Sequence, residues 1–145
     1  MQSLLFNNLH IENEPVNIPL PDGITLTIKR EDKNHPFVSG NKLRKLKYNI
    51  AQAQQEGKDT ILTFGGAYSN HIAATAAAGQ IVGLKTIGVI RGDELDSKID
   101  VNPTLKFAKS CGMDFYFVTR EAYRRKHTPE FLENLRKRYG QNIYI

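Results

Sequence analysis

A lysine at the start of a predicted helix is the residue around which the chemistry of this sequence is organised. On a helical projection Lys42 shares one face with apolar residues spaced by four, four and three positions, which are Leu46, Ile50 and Ala53. Arg44 falls on the opposite, solvent-facing side. An amine drawn inward, near other cations and the positive end of a helix, favours its neutral form, which condenses with carbonyls to give a Schiff base. The alternative is a lysine that snorkels at the helix start and covers Leu46 with its methylenes.

A second polar group follows a short apolar run. Residues 60–64 predict a strand, and residues 65–71 join it to an alanine-rich helix over residues 69–82. Ligands of open parallel sheets bind outside the carboxyl ends of strands, where free N–H groups of a first helical turn and the Ser69 hydroxyl would bind an anion. The alternative is a tight turn with Ser69 or Asn70 as an ordinary N-cap. The loop lacks the Gly-Lys-Ser/Thr ending of a P-loop, which disfavours nucleoside phosphates.

The elements that would position these residues alternate along the chain. The pattern predicts strands at residues 24–30, 60–64, 86–90, 115–118 and 142–145. It predicts helices at residues 41–56, 69–82, 103–110 and 129–139, the last with Thr128 as N-cap. Residues 1–24 are predicted to be irregular, and residues 24–30 alternate as a strand with one buried face. Strands joined by helices indicate an α/β fold with a parallel sheet covered on both faces.

Three motifs occur in a recognisable order: KRED at residues 29–32, SGNKLRKL at residues 39–46 and GGAYSNH at residues 65–71. From about residue 19 onward the chain resembles the pyridoxal-phosphate enzymes of the tryptophan synthase beta-like superfamily. Within that superfamily it is most similar to the 1-aminocyclopropane-1-carboxylate deaminase and D-cysteine desulfhydrase family. The resemblance implies the tryptophan synthase beta-like fold, known as fold type II.

The resemblance also implies a domain division. Residues 1–44 would belong to the large cofactor-binding domain, and residues 45–145 would form a small three-layer α/β domain. Family members are considerably longer, and the sequence stops inside a predicted strand. We therefore expect an N-terminal portion, with the glycine-rich phosphate cup, the partner of the ring nitrogen and a catalytic tyrosine beyond Ile145.

Roles for four residues follow from the same resemblance. Lys42 would carry pyridoxal 5'-phosphate as an internal aldimine and become a base once the substrate amine displaces it. Asn70 would contact the ring hydroxyl of the cofactor. Ser69, Asn70 and His71 would receive the substrate carboxylate, and Ser69, as a second catalytic residue, would position or relay a proton.

The expected activity is that of a pyridoxal-phosphate-dependent lyase or deaminase of a small amino acid, either D-cysteine or 1-aminocyclopropane-1-carboxylate. His71 stands where deaminases typically have glutamine, and it is closer to the desulfhydrase pattern. Ala67 and Tyr68 depart from the family's usual Ile-Gln, and residues 72–75 lack an arginine, which leaves the substrate open. A full-length member would form a homodimer, whereas these 145 residues alone would be inactive.

Two alternatives from other classes remain: a non-catalytic anion- or nucleotide-binding α/β module, and a basic nucleic-acid-binding domain. The net charge of +5 comes from 20 Lys and Arg against 15 Asp and Glu. The cations are scattered or sit beside acids, as in residues 29–32, which favours a solvated surface over nucleic-acid binding. Residues 120–127 are basic too, and the same interpretation applies to them. Glu31 and Asp32 are interpreted as a charge-balanced surface element rather than a catalytic acid and base.

Other features restrict the setting. The single Cys111 cannot form an internal disulfide, which favours a reducing cytoplasm and a small, buried or half-buried side chain. The N-terminus has neither a basic start nor a long apolar core, so we expect no signal peptide. No window approaches the ~20 apolar residues of a membrane span. No metal site is expected, because the histidines have no ligand spacing with one another; they are His10, His35, His71 and His127.

Overall fold

A computed structural model describes residues 4–6 and 11–145 of the chain. The strands are β1 (Asn13–Pro15), β2 (Thr27–Lys29), β3 (Thr60–Gly66), β4 (Lys85–Arg91), β5 (Met113–Val118) and β6 (Ile143–Tyr144). The α-helices are α1 (Asn41–Gln55), α2 (Asn70–Val82), α3 (Pro103–Ser110), α4 (Arg120–Arg124) and α5 (Pro129–Tyr139). Short 3-10 helices span Leu4–Phe6, Glu31–Lys33 and Asp93–Lys98.

Four strands form one parallel sheet in the order β5-β4-β3-β6. The chain moves outward from β3 through α2 to β4 and through α3 to β5, and then crosses back to place β6 on the other side of β3. The direction of winding therefore reverses beside β3. In open α/β sheets such a reversal leaves a crevice at the carboxyl ends of the strands, which is where ligands bind.

The hydrophobic core lies on both faces of this sheet. On one face α1, α2 and α3 bury apolar side chains against β3, β4 and β5, including Ile50, Ile72, Ile90 and Leu105. On the other face Leu62 and Val89 pack against Leu135 of α5. The predicted parallel sheet with helices on both faces is confirmed, and so is the three-layer arrangement.

The long helices begin and end close to the predicted positions. Observed bounds lie within one residue of the prediction for α1, α2, α3 and α5. Thr128 caps α5 as predicted, because its hydroxyl accepts the N–H of Phe131 at 3.3 Å. Gly83 ends α2 in the left-handed region at a φ of 74°, a conformation that glycine adopts without strain.

The N-terminal prediction is wrong in two respects. Only Thr27–Lys29 of the predicted strand over residues 24–30 is extended, and it pairs antiparallel with Asn13–Pro15, inside the segment predicted to be irregular. The face predicted to be buried is also exposed, at 57% for Ile24, 44% for Leu26 and 50% for Ile28. Alternation of apolar and polar residues assigns side chains to the two faces of a strand, but it does not show whether another element covers either face. Among the described residues, no element packs over this pair of strands.

The predictions for residues 1–3 and 7–10 lie outside the described residues. Two short elements, the 3-10 helix Asp93–Lys98 and the five-residue α4, have too few residues for periodicity to reveal them. Across residues 4–6 and 11–145, none of the helices combines the length and apolar character that crossing a membrane requires.

Candidate active site

The first turn of α1 is held by backbone geometry and by the core. Gly40 precedes the helix at a φ of 62°, which a residue with a side chain rarely adopts. Its N–H donates to the carbonyl of Glu31 at 2.8 Å and lies 3.2 Å from Oδ1 of Asn34. The buried stripe of α1 consists of Leu43, Leu46, Ile50 and Ala53. Leu46, Ile50 and Ala53 face inward as predicted, whereas Leu43, and not Lys42, is the fully buried residue at the N-terminal end of the stripe.

Lys42 lies at the edge of this stripe and is half-buried. Its amine donates to Oδ1 of Asn41 at 2.6 Å. Together with Asn70, from the start of α2, it lines a cavity of about 370 Å³ between the N-terminal ends of α1 and α2. Ser39 and Asp32 also line this cavity. Two residues that are 28 positions apart in the sequence, Lys42 and Asn70, thus face one space.

The turn that precedes Asn70 contains Gly65 and Gly66, and only Gly65 is required by its close contacts. A Cβ on Gly65 would lie 2.4 Å from Cγ1 of the fully buried Ile72 and 3.1 Å from Cβ of Ser69. A Cβ on Gly66 would meet no atom within 4 Å. Neither glycine has a positive φ, so the tight turn itself does not require glycine. Gly65 is needed because it lets the first turn of α2 approach the end of β3.

Ser69 and Asn70 occupy the two positions at the start of α2. The Ser69 hydroxyl caps the helix by accepting the N–H of Ile72 at 3.4 Å, so the ordinary capping role is realised. Asn70 is exposed at the first helical position, where it lines the cavity beside Lys42. Ser69 and His71 are not among the described residues that line the cavity. The structure therefore brings Lys42 and Asn70 together and leaves Ser69 and His71 on either side of Asn70 in the chain, outside the lining of the cavity.

His71 is half-buried, and its Nε2 lies 2.9 Å from Oγ1 of Thr63 on β3. Burial lowers the pKa of His71, and the charges of Lys42 and Lys45 lower it further. The imidazole is therefore neutral near pH 7, with Thr63 as a partner for one ring nitrogen. Thr63 was not predicted from the sequence, although a polar residue near the carboxyl end of an apolar strand was a usable signal.

The acidic residues of the KRED motif are paired with cations, as predicted. Hydrogen bonds from the Arg30 guanidinium, at 2.8 and 2.6 Å, lower the pKa of Asp32 to about 2. Glu31 accepts two hydrogen bonds from Arg44, at 2.9 and 2.6 Å. Both carboxylates are ionised at neutral pH, so neither is a general acid there. The prediction did not anticipate that Asp32 would line the cavity or that the solvent-facing Arg44 would bind Glu31.

Cys111 lies at the end of α3, is not among the described residues that line the Lys42 cavity, and is half-buried as predicted. Burial raises the pKa of its thiol, which makes it a weak nucleophile at neutral pH. It belongs to the packing of α3 rather than to the candidate site.

No protein-family model matches the chain. Individual proteins do. The chain is 36% identical over 110 residues to the bifunctional D-cysteine desulfhydrase/1-aminocyclopropane-1-carboxylate deaminase, mitochondrial, of Arabidopsis thaliana, a match that covers 74% of this chain and 27% of that protein. It is 33% identical over 129 residues to a putative 1-aminocyclopropane-1-carboxylate deaminase of Pyrococcus horikoshii, covering 89% and 38%. A D-cysteine desulfhydrase of Salmonella paratyphi B is 41% identical over 68 residues, covering 47% and 21%.

Solved structures agree with these relatives. A structure described as an ACC deaminase homologue superposes with a TM-score of 0.68 at 28% identity, over 92% of this chain and 40% of that one. An O-ureido-L-serine synthase superposes with a TM-score of 0.67 at 16% identity, over 99% and 43%, which shows a shared fold. The chain spans 27% and 38% of the Arabidopsis and Pyrococcus relatives, well under half of their length.

Proposed function

Because this chain belongs to the 1-aminocyclopropane-1-carboxylate deaminase and D-cysteine desulfhydrase family, we propose that it is the Lys42-bearing part of a pyridoxal-phosphate-dependent lyase or deaminase of a small amino acid. The observation that carries the proposal is the shared cavity of Lys42 and Asn70. The SGNKLRKL and GGAYSNH motifs are distant in the sequence, yet residues of both line this one space. A third, KRED, contributes Asp32 to the same lining.

The cavity fits the cofactor in size and in chemistry. Its volume of about 370 Å³ lies within the usual range for small-molecule sites, about 300–1,000 Å³. An amine, an amide and a hydroxyl converge on it from Lys42, Asn70 and Ser39. An amine is required for a Schiff base, and an amide can donate to or accept from a ring hydroxyl. When bound, pyridoxal 5'-phosphate would supply the electron sink for bond cleavage at the amino acid.

The residues of the chain would then divide the remaining work. Lys42 would hold the cofactor and, once released from it, accept a proton from the substrate. Asn70 would orient the ring through its hydroxyl. Ser69 and the free N–H groups at the start of α2 would receive the substrate carboxylate, which the helix dipole favours. His71 would stay neutral beside them, because burial lowers its pKa.

The proposal also covers the substrate, the domain division, the cellular location and the oligomeric state. We propose D-cysteine over 1-aminocyclopropane-1-carboxylate, because His71 replaces the glutamine typical of deaminases. Residues 1–44 would form part of the large domain and residues 45–145 the small domain, so the boundary would fall within the first turns of α1. We further propose a cytoplasmic homodimer that does not bind nucleic acid. The cations of the KRED motif support the last point, because they pair with carboxylates.

Reductive trapping tests the role of Lys42. The protein is incubated with pyridoxal 5'-phosphate, reduced with borohydride, digested and mapped by mass spectrometry. We expect the label to concentrate on Lys42 and to be lost in Lys42→Arg, with exposed Lys106 of α3 as the internal reference. Equal labelling of Lys42 and Lys106 would instead favour a non-catalytic anion-binding module.

The substrate is tested separately on a full-length protein that contains this chain, because residues 1–145 alone are expected to be inactive. Sulfide release from D-cysteine and ammonia release from 1-aminocyclopropane-1-carboxylate are measured in parallel. We expect sulfide release to dominate, and His71→Gln to shift the ratio toward ammonia release. A ratio that favours ammonia in the parent protein would contradict the proposed substrate while leaving the role of Lys42 intact.

A further inference from the structure

Glu31 contacts the start of α1 on both sides of Lys42. Its backbone carbonyl accepts the N–H of Gly40, two residues before Lys42, at 2.8 Å. Its carboxylate accepts Nε and Nη2 of Arg44, two residues after Lys42, at 2.9 and 2.6 Å. One residue on the preceding 3-10 turn thus fixes the backbone before the lysine and the side chain that follows it.

Asn34 connects these two contacts. Its Oδ1 accepts the Gly40 N–H at 3.2 Å, and its Nδ2 donates to the Glu31 carboxylate at 3.3 Å. The carboxylate therefore has four donor groups from three residues, because the Lys29 amine also lies 3.4 Å from Oε1. A bidentate arginine pair supported in this way has a defined geometry, unlike a single flexible lysine contact.

The negative charge of Glu31 also lies beside the N-terminal end of α1, where it stabilises the helix. The helix has no acidic residue in its first turn and begins with the cations Lys42, Arg44 and Lys45 at its positive end. A cation at that end is unfavourable, and a carboxylate beside it is favourable. Hydrogen bonds from Arg44, and then from Lys29, lower the pKa of Glu31, so the carboxylate is ionised at neutral pH.

We propose that Glu31 is a positioning residue, which orients the first turn of α1 so that the Lys42 amine is presented to the cavity shared with Asn70. The proposal rests on the function proposed above, because it concerns the reactivity of the same amine. Glu31 touches Gly40 and Arg44 and acts on Lys42 only through them. The competing interpretation is an ordinary surface ion pair, since 54% of the Arg44 side chain is exposed, and such pairs contribute little.

Two measurements on Glu31→Gln separate these interpretations. The first is amide hydrogen exchange, in which we expect the hydrogen-bonded amides of Gly40 and Arg44 to exchange about two- to five-fold faster. The second is reductive labelling, in which we expect the Lys42 to Lys106 ratio to fall by a similar factor. Glu94→Gln is the matched control, because it breaks the exposed pair with Arg120, which is not part of α1.

The pair itself is tested by a double-mutant cycle. If Glu31 acts through Arg44, then Arg44→Gln reproduces both effects, and the double variant is no worse than either single variant. Exchange of the Gly40 and Arg44 amides that matches the Glu94→Gln control would overturn the proposal, and so would an unchanged labelling ratio. Failure of the proposed function has a different signature, because the parent protein would then show no preference for Lys42 at all.

Discussion

Gly65→Ala is the substitution whose cost the structure determines most closely. The added Cβ would lie 2.4 Å from Cγ1 and 2.9 Å from Cδ1 of Ile72, and 3.1 Å from Cβ of Ser69. Ile72 is fully buried, and Cγ1 is the base of its flexible portion, so rotation of the side chain end does not relieve the contact. The first turn of α2 must therefore move away from the end of β3.

The loss of unfolding free energy caused by Gly65→Ala is worked out by comparison with the adjacent Gly66. Overpacking of a closed core costs about 1–3 kcal/mol. Replacement of glycine by alanine also restricts the unfolded chain, which contributes about 0.4–1 kcal/mol in the opposite direction. Gly66→Ala has the same effect on the unfolded chain and no close contact within 4 Å in the folded one. The difference between the two variants, about 1–3 kcal/mol, therefore isolates the contact with Ile72.

The assay is equilibrium unfolding in urea, with the free energies of unfolding compared at equal slope. We expect Gly65→Ala to be less stable than Gly66→Ala by the stated amount. Thermal unfolding should agree, with about 2–4 °C for each kcal/mol in a chain near this size. Equal stability of the two variants would refute the reasoning that Gly65 sets the approach of α2 to β3.

Three further substitutions test other parts of the structure. Ile50→Ala should lower the free energy of unfolding by about 2–5 kcal/mol, because the side chain is fully buried. Tyr48→Ala, at a position that is 75% exposed, should change it by no more than about 0.5 kcal/mol. Similar costs for the two variants would contradict the burial of the Ile50 face of α1. Thr75→Val should stabilise the protein by about 1 kcal/mol in urea unfolding, because the buried Thr75 hydroxyl has no hydrogen-bond partner among the described residues; a loss of stability would reveal a partner. The pKa of His71 is lowered in the folded state, so the unfolded chain takes up a proton first and the free energy of unfolding falls as pH drops below 6.5. His71→Gln should reduce this loss of stability between pH 7.5 and 5.5. An unchanged loss would contradict the lowered pKa.

The long helices were predictable from the sequence because their signals are local. The stripe of Leu46, Ile50 and Ala53 identifies the buried face of α1 without reference to any other element. Thr128 identifies the start of α5 because a threonine cap satisfies N–H groups only a few residues away. The exposed face of residues 24–30 was not predictable in this way, since burial depends on what packs over a strand.

In the candidate site, too, local features were predictable from the sequence, whereas contacts between separate elements were not. Lys42 and Asn70 were identified from motifs, but their common cavity depends on how α1 and α2 pack, which spacing does not specify. The contact between Thr63 and His71 and the pair of Glu31 with Arg44 also join separate elements. Gly65 was recognised as part of a turn, and only the position of Ile72 reveals why a glycine is required there.

The central claim is that Lys42 and Asn70 face one space in which a pyridoxal ring is held. A crystal structure of the protein after borohydride reduction with pyridoxal 5'-phosphate tests it most directly. We expect ring density continuous with Nζ of Lys42, and the Asn70 amide within hydrogen-bond distance of the ring hydroxyl, about 2.7–3.2 Å. A ring attached to another lysine, or a Lys42 side chain directed away from Asn70, would contradict it.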